Sequence, residues 1–138
     1  MSDLRSSETG PAGRLRIKRV YLPAEASDGR RILVDRLWPR GLTKDRAALS
    51  AWCRDIAPSD GLRRWFHAHA DQWAEFVARY ETELSAKGDL VGEIAGYAQD
   101  GPVTLLYAAK DEARNNAVAL RDHLRRCLGQ GGAGHDAK

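Results

Sequence analysis

Two short stretches concentrate the residue types that can do chemistry. The first, DRLWPRG at 35–41, sets Asp35, Arg36, Trp38 and Arg40 at the end of an apolar run. The second, AKDEARNN at 109–116, follows another apolar run and holds Lys110, Asp111 and Asn115. Arginine presents a planar fork that grips phosphate or carboxylate through two hydrogen bonds, and lysine adds a compact charge. The pattern therefore points to an anion held by Arg36, Arg40 and Lys110, with Trp38 against it and Asn115 orienting it. Asp35 and Asp111 are the candidates for acid/base work, and Pro39 with Gly41 constrains the loop that presents the arginines. Plainer roles compete with each of these. Asp35 and Arg36 could cap the sheet through ion pairs, Trp38 could be packing, and Asp111 could be only a helix cap.

Other chemistries have less support. No G-x-S-x-G elbow, Walker loop or Rossmann glycine fingerprint is present. His67 and His69 are spaced H-x-H, which does not place both imidazoles on one helical face, so no metal site is expected. Cys53 and Cys127 match neither a redox pair nor a zinc pattern, and they read as small packing residues. No pattern names a cofactor, and neither a Ser–His–Asp triad nor a Cys–His pair assembles.

The elements that must position the two stretches follow from periodicity. LRIKRVYL at 15–22 and RILVDRL at 31–37 read as strands, and PVTLLYAA at 102–109 as a third. Thr43 or Asp45 starts a helix that the spacing of Leu49, Trp52, Cys53 and Ile56 carries through Ile56. Ser59 caps a short helix with Leu62, Trp65 and Phe66. A longer helix runs from about Asp71, another from Asp89 to Gln99, and Asp111 caps a last one reaching Leu128. The second and third strands are joined through several helices, which favours a parallel pair. The relation of the first two strands stays open. The fold class is α/β, a small Rossmann-like domain with a short, mostly parallel sheet and helices packed on it. In such sheets ligands sit beyond the carboxyl ends of the strands, where both charged stretches lie.

The 138 residues suffice for one domain, here 14–128, between tails at 1–13 and 129–138 whose Ser, Gly and Pro content reads as disordered. A net charge of +3 is a mild lean toward anionic partners. No apolar run approaches a membrane span and no secretory signal is visible, so a cytosolic setting is expected. Nothing in the pattern fixes an oligomeric state.

The combination V-D-R-L-W-P-R-G, A-P-S, R-Y-x-x-E-L and L-L-Y-A-A-K-D…N-x-A-V-x-L resembles the DUF488 family, in its short YeaO-like branch, over residues 15–126. The resemblance implies an α/β domain with the Asp-Arg and Lys-Asp strand ends side by side on a parallel sheet. The residues it marks are Asp35, Arg36, Trp38, Pro39, Arg40 and Gly41, then Lys110, Asp111 and Asn115. The family usually carries a His-Asp-Pro turn after W-F, where this chain reads Ala68, His69 and Ala70. Longer relatives have cysteine and histidine near the third strand end; Tyr107 and Asn115–Asn116 stand there here, which argues against a cysteine nucleophile. The family has no assigned activity. The leading expectation is a small anionic ligand, a nucleotide or phosphorylated metabolite, with or without a reaction. The alternative is a nucleic-acid-binding or regulatory interaction module, suggested by the pI of about 9.1 and by Trp38 among arginines.

Overall fold

Strands that alternate small runs of Leu, Ile and Val can pair only where both faces are covered, and this chain covers them differently on its two sides. The computed structural model describes residues 10–137. Expectations for the first nine residues and for Lys138 lie outside the described residues. The strands are Leu15–Arg19 (β1), Arg30–Leu33 (β2), Ala51–Trp52 (β3) and Val103–Tyr107 (β4). They form one sheet in the order β1-β4-β2-β3, with every pairing parallel. The helices are Pro11–Arg14 (α1), Lys44–Ala47 (α2), Asp60–Ala68 (α3), Trp73–Ser85 (α4), Gly88–Asp100 (α5) and Asn116–Ala137 (α6). The fold is the expected small α/β, Rossmann-like domain, and β1 and β2 are parallel with β4 between them.

Side-chain alternation along the strands divides the core. Leu15, Ile32, Val34, Leu105 and Tyr107 face the helices, where Leu62, Phe76, Tyr80, Ile94, Leu120 and Leu124 close over them. Leu33 and Leu106 point the other way, into a smaller cluster with Val20, Ala47, Trp38 and Trp52. Loops and the single turn of α2 form that second layer.

Several sequence expectations change here. The second strand ends at Leu33 rather than Leu37. Val34 still donates to the Leu106 carbonyl at 3.0 Å, and then Asp35 leaves the ladder. The expected helix from Thr43 to Ile56 is only α2. Thr43 does cap it, accepting from the Arg46 N–H, but Ala48 adopts a left-handed conformation (φ 48°, ψ 50°) and stops it. Ser50 and Cys53 then donate to the carbonyls of Arg31 and Leu33, so Ala51–Trp52 becomes a fourth strand. The last helix begins at Asn116 rather than beside Asp111 and continues past Leu128 to Ala137.

A buried ion cluster fixes the loop layer. Arg31 and Asp28 are each 4% exposed, and their Nη1 and Oδ2 atoms lie 2.6 Å apart. The Arg31 guanidinium also donates to the carbonyls of Ala47 and Ala48 at the end of α2, while Lys18 reaches the same Asp28 carboxylate at 3.1 Å. Burial pushes the Asp28 carboxyl upward, but the Glu25 N–H, Lys18 and Arg31 together hold it below its ordinary value. Gly29 beside it sits at φ 67°, where a Cβ would lie 2.3 Å from the Pro102 carbonyl oxygen.

On the helix side, the A-P-S and R-Y-x-x-E-L motifs prove to be one latch. Tyr80 is fully buried and donates to the Ile56 carbonyl at 2.6 Å. Glu83 accepts from the Ser59 N–H at 2.8 Å and from its hydroxyl at 2.5 Å, while the Ser59 oxygen accepts from Leu62 as the cap of α3. Lys87 donates to the Asp55 and Ala57 carbonyls. Residues 55–59 are thereby tied to α4 and its end.

Two outcomes are expected. Asp28→Asn leaves a buried guanidinium without its carboxylate and should cost about 3 kcal/mol at neutral pH, read as a lowered urea midpoint. A depressed folded pKa supplies stability above the ordinary 3.8 that is lost as pH falls. The deficit of the variant should therefore shrink on acidification below that value. Tyr80→Phe, which orphans the Ile56 carbonyl, should cost about 1–2 kcal/mol in the same experiment.

Candidate ligand-binding cleft

Because β2 and β4 are parallel neighbours, their carboxyl ends open on the same edge of the sheet. A cleft of about 700 Å³ lies there, bounded by the loop after β2, the β4–α6 segment and α3. The candidate ligand-binding and acid/base residues from the sequence all line it: Asp35, Arg36, Trp38, Arg40, Lys110, Asp111 and Asn115. Arg63, His67 and Arg114 join them.

Asp35 is the joint of the site. Its Oδ2 accepts from the Ala108 N–H at 2.9 Å and its Oδ1 from the Asn116 amide at 3.0 Å; Asn116 also donates to the Val34 carbonyl. The Trp52 indole holds the Asp35 carbonyl at 2.7 Å. One side chain therefore ties the end of β2 to the end of β4 and the start of α6. Burial pushes the Asp35 carboxyl above its ordinary range, by more than the two hydrogen bonds draw it down.

The other sequence candidates divide by what they touch. Arg36 donates to the Pro58 carbonyl at 3.4 Å and lies 4.0 Å from Asp60, so it braces the loop against the start of α3. Trp38 donates to the Leu42 carbonyl at 2.7 Å and meets Trp52 edge-on at 5.4 Å, which closes and anchors the W-P-R-G loop. Gly41 turns that loop at φ 76°. Asn115 is 2% exposed; its oxygen accepts from the Val118 N–H and its amide donates to the Asp111 carbonyl, the arrangement of a helix cap. Asp111 is exposed and accepts from the N–H groups of Ala113 and Arg114, which hold its carboxyl below the ordinary range. It shapes the turn before α6.

Three cations are left over. Among the described residues, no hydrogen bond or ion pair engages the side chains of Arg40, Lys110 or Arg114, all exposed at the cleft. Arg63 shares Asp60 with Arg36, at 3.4 Å. Sequence reasoning passed over Arg63 and Arg114; Arg114 stood inside the second charged stretch, directly before the Asn pair, and that position was the available signal. His69, where the family usually carries its His-Asp-Pro turn, donates from Nδ1 to the Trp65 carbonyl at 2.7 Å and stacks on Trp65. Among the described residues no group of His, Cys, Asp and Glu could hold a metal ion, and no helix is long and apolar enough to cross a membrane.

Asp35→Asn isolates the joint. Since the folded pKa lies above 3.8, the native state keeps this proton longer than the unfolded chain does. The resulting stabilisation is complete below that value and is lost as pH rises through the folded pKa. The stability gap between wild type and Asp35→Asn, followed by urea unfolding from acid to neutral pH, should narrow as pH rises.

Comparison with known proteins agrees with this geometry in its extent. The family model described as "Inactive DUF488-N3 subclade" matches residues 14–137. The uncharacterized protein YeaO of Escherichia coli (strain K12) is 47% identical over 111 residues, covering 80% of this chain and 96% of that one. Uncharacterized proteins of Mycobacterium bovis and Mycobacterium tuberculosis are each 39% identical over 111 residues, 80% of this chain and 93% of theirs. No solved structure matches. With the strand-end motifs, the paired ends and a match across nearly the whole described chain in agreement, the protein belongs to the DUF488 family, in its YeaO-like branch.

Proposed function

We propose that this protein binds a small anionic ligand, a nucleotide or phosphorylated metabolite, in the cleft at the ends of β2 and β4, in the cytosol, and does so without turning it over. The observation that carries the reading is the set of three cations whose side chains make no hydrogen bond or ion pair among the described residues, Arg40, Lys110 and Arg114, around a cleft of about 700 Å³. That volume suits a ligand of metabolite size. The N-terminus of α6 lies at the same rim, with Asn116 in the lining, and the positive end of that helix adds to the attraction for an anion.

Binding without turnover is supported by what the carboxylates do. Both oxygens of Asp35 are engaged in holding the strand ends, and Asp111 is an exposed carboxylate with a depressed pKa, a weak base. The description of the matching subclade as inactive is in keeping with this.

Thermal unfolding with inorganic pyrophosphate and with AMP tests the reading. A ligand at ~100 times its dissociation constant should stabilise the fold by roughly 2.7 kcal/mol. Lys110→Ala and Arg114→Ala should abolish the shift while changing unliganded stability by less than about 0.5 kcal/mol, as exposed side chains without partners do. Arg36→Ala should lower both, because it also braces the wall. A wild type that no anion stabilises would contradict the reading.

A further inference from the structure

The cleft supplies charge and apolar surface, but few free directional groups. Its polar side chains are mostly spent on the protein itself: Asp35 with Ala108 and Asn116, Asn115 with Asp111 and Val118, and Tyr21 with the Arg40 carbonyl at 2.8 Å. The surface left to meet a ligand's body is apolar and includes Leu37, Pro58, Phe66 and Ala70. Leu37 is 57% exposed, the highest value among the large hydrophobic residues described, although it stands next to the best-tethered residues of the loop. Against those apolar residues a ligand hydroxyl or amide that gave up water would find no replacement partner, and such a loss is costly. An apolar group placed on Leu37 and Phe66 would instead gain from leaving water.

Two of the three cations come from a different segment than Leu37, Pro58 and Phe66, while Arg40 shares the loop of Leu37. Lys110 and Arg114 belong to the β4–α6 connection, whereas Leu37 follows β2 and Pro58 and Phe66 belong to α3 and its approach. We propose that the ligand is a phosphate monoester with an apolar body, its phosphate at Lys110 and Arg114 and its body against Leu37, Pro58 and Phe66. This deepens the anion-binding reading above and rests on it. Within the ligand class proposed above it ranks such monoesters ahead of sugar phosphates and nucleotides, whose hydroxyl-rich portions gain nothing on that apolar surface.

Isothermal titration with phenyl phosphate, glucose 6-phosphate, AMP and inorganic phosphate separates the two levels. Phenyl phosphate should bind about tenfold or more tighter than the other three. Lys110→Ala should abolish its binding. Leu37→Asn should weaken phenyl phosphate by about fivefold and glucose 6-phosphate by less than about twofold. If glucose 6-phosphate or AMP binds at least as tightly as phenyl phosphate, and Lys110→Ala removes that binding, the apolar-body inference is overturned while the anion cleft stands. If phenyl phosphate binds but ignores Lys110→Ala, the proposed placement of the phosphate is wrong. If none of the four binds, both the inference and the reading beneath it fall.

Discussion

The arrangement at the sheet edge depends on one carboxylate. Asp35 leaves the β2 ladder immediately after Val34 and spends both oxygens on the next strand and its helix, on the Ala108 N–H and the Asn116 amide. A backbone N–H at a strand end and a side-chain amide in the first turn of α6 would otherwise need water or a ligand. By meeting both, Asp35 fixes where the two charged loops stand relative to each other. Burial costs this group part of its charge preference, which shows in its raised pKa. The Trp52 indole on the Asp35 carbonyl and the Trp38 indole on the Leu42 carbonyl extend the same control outward to the W-P-R-G turn.

Charge alone would not single out this cleft, because arginines occur all along the chain. Most of them are committed elsewhere. Arg19 donates to the carbonyls of Ala108 and Ala109, Arg125 to that of Leu15, and Arg126 pairs with Glu81. Arg31 is buried in the Asp28 cluster, and Arg30 and Arg79 lie over the rings of Tyr97 and Trp65. Those side chains are held by the fold, whereas Arg40, Lys110 and Arg114, at the cleft, have no hydrogen bond or ion pair among the described residues.

Much of this was legible in the residues, and what was not has physical reasons. Apolar runs ending in charge revealed β2, β4 and the shared edge, since a parallel pair joined through helices leaves few other placements. The strand β3 was hidden because Leu49, Trp52 and Ile56 keep helical spacing, and periodicity cannot show that Ala48 turns left-handed and that Ser50 is drawn to Arg31. Arg31 was hidden for a related reason: it opens an apolar strand, and its partner Asp28 lies in a loop whose path only the fold determines. At the strand ends the sequence picked out residues that line the cleft but could not assign the amides. Asn115 became the helix cap and Asn116 the partner of Asp35, a division set by where α6 starts. The A-P-S and R-Y-x-x-E-L motifs carried no visible link, since Ser59 and Glu83 meet only through the packing of α3 on α4.

The most direct test of the central claim, that the joined ends of β2 and β4 present an anion site, is a titration of the ¹⁵N-labelled protein with inorganic pyrophosphate followed by amide chemical shifts. The account expects saturable shifts centred on Arg40, Lys110, Arg114 and Asn116, with the amides of β1 and the middle of α6 unmoved. Shifts centred instead on the arginines of β1 and α6, or none at any concentration, would contradict it.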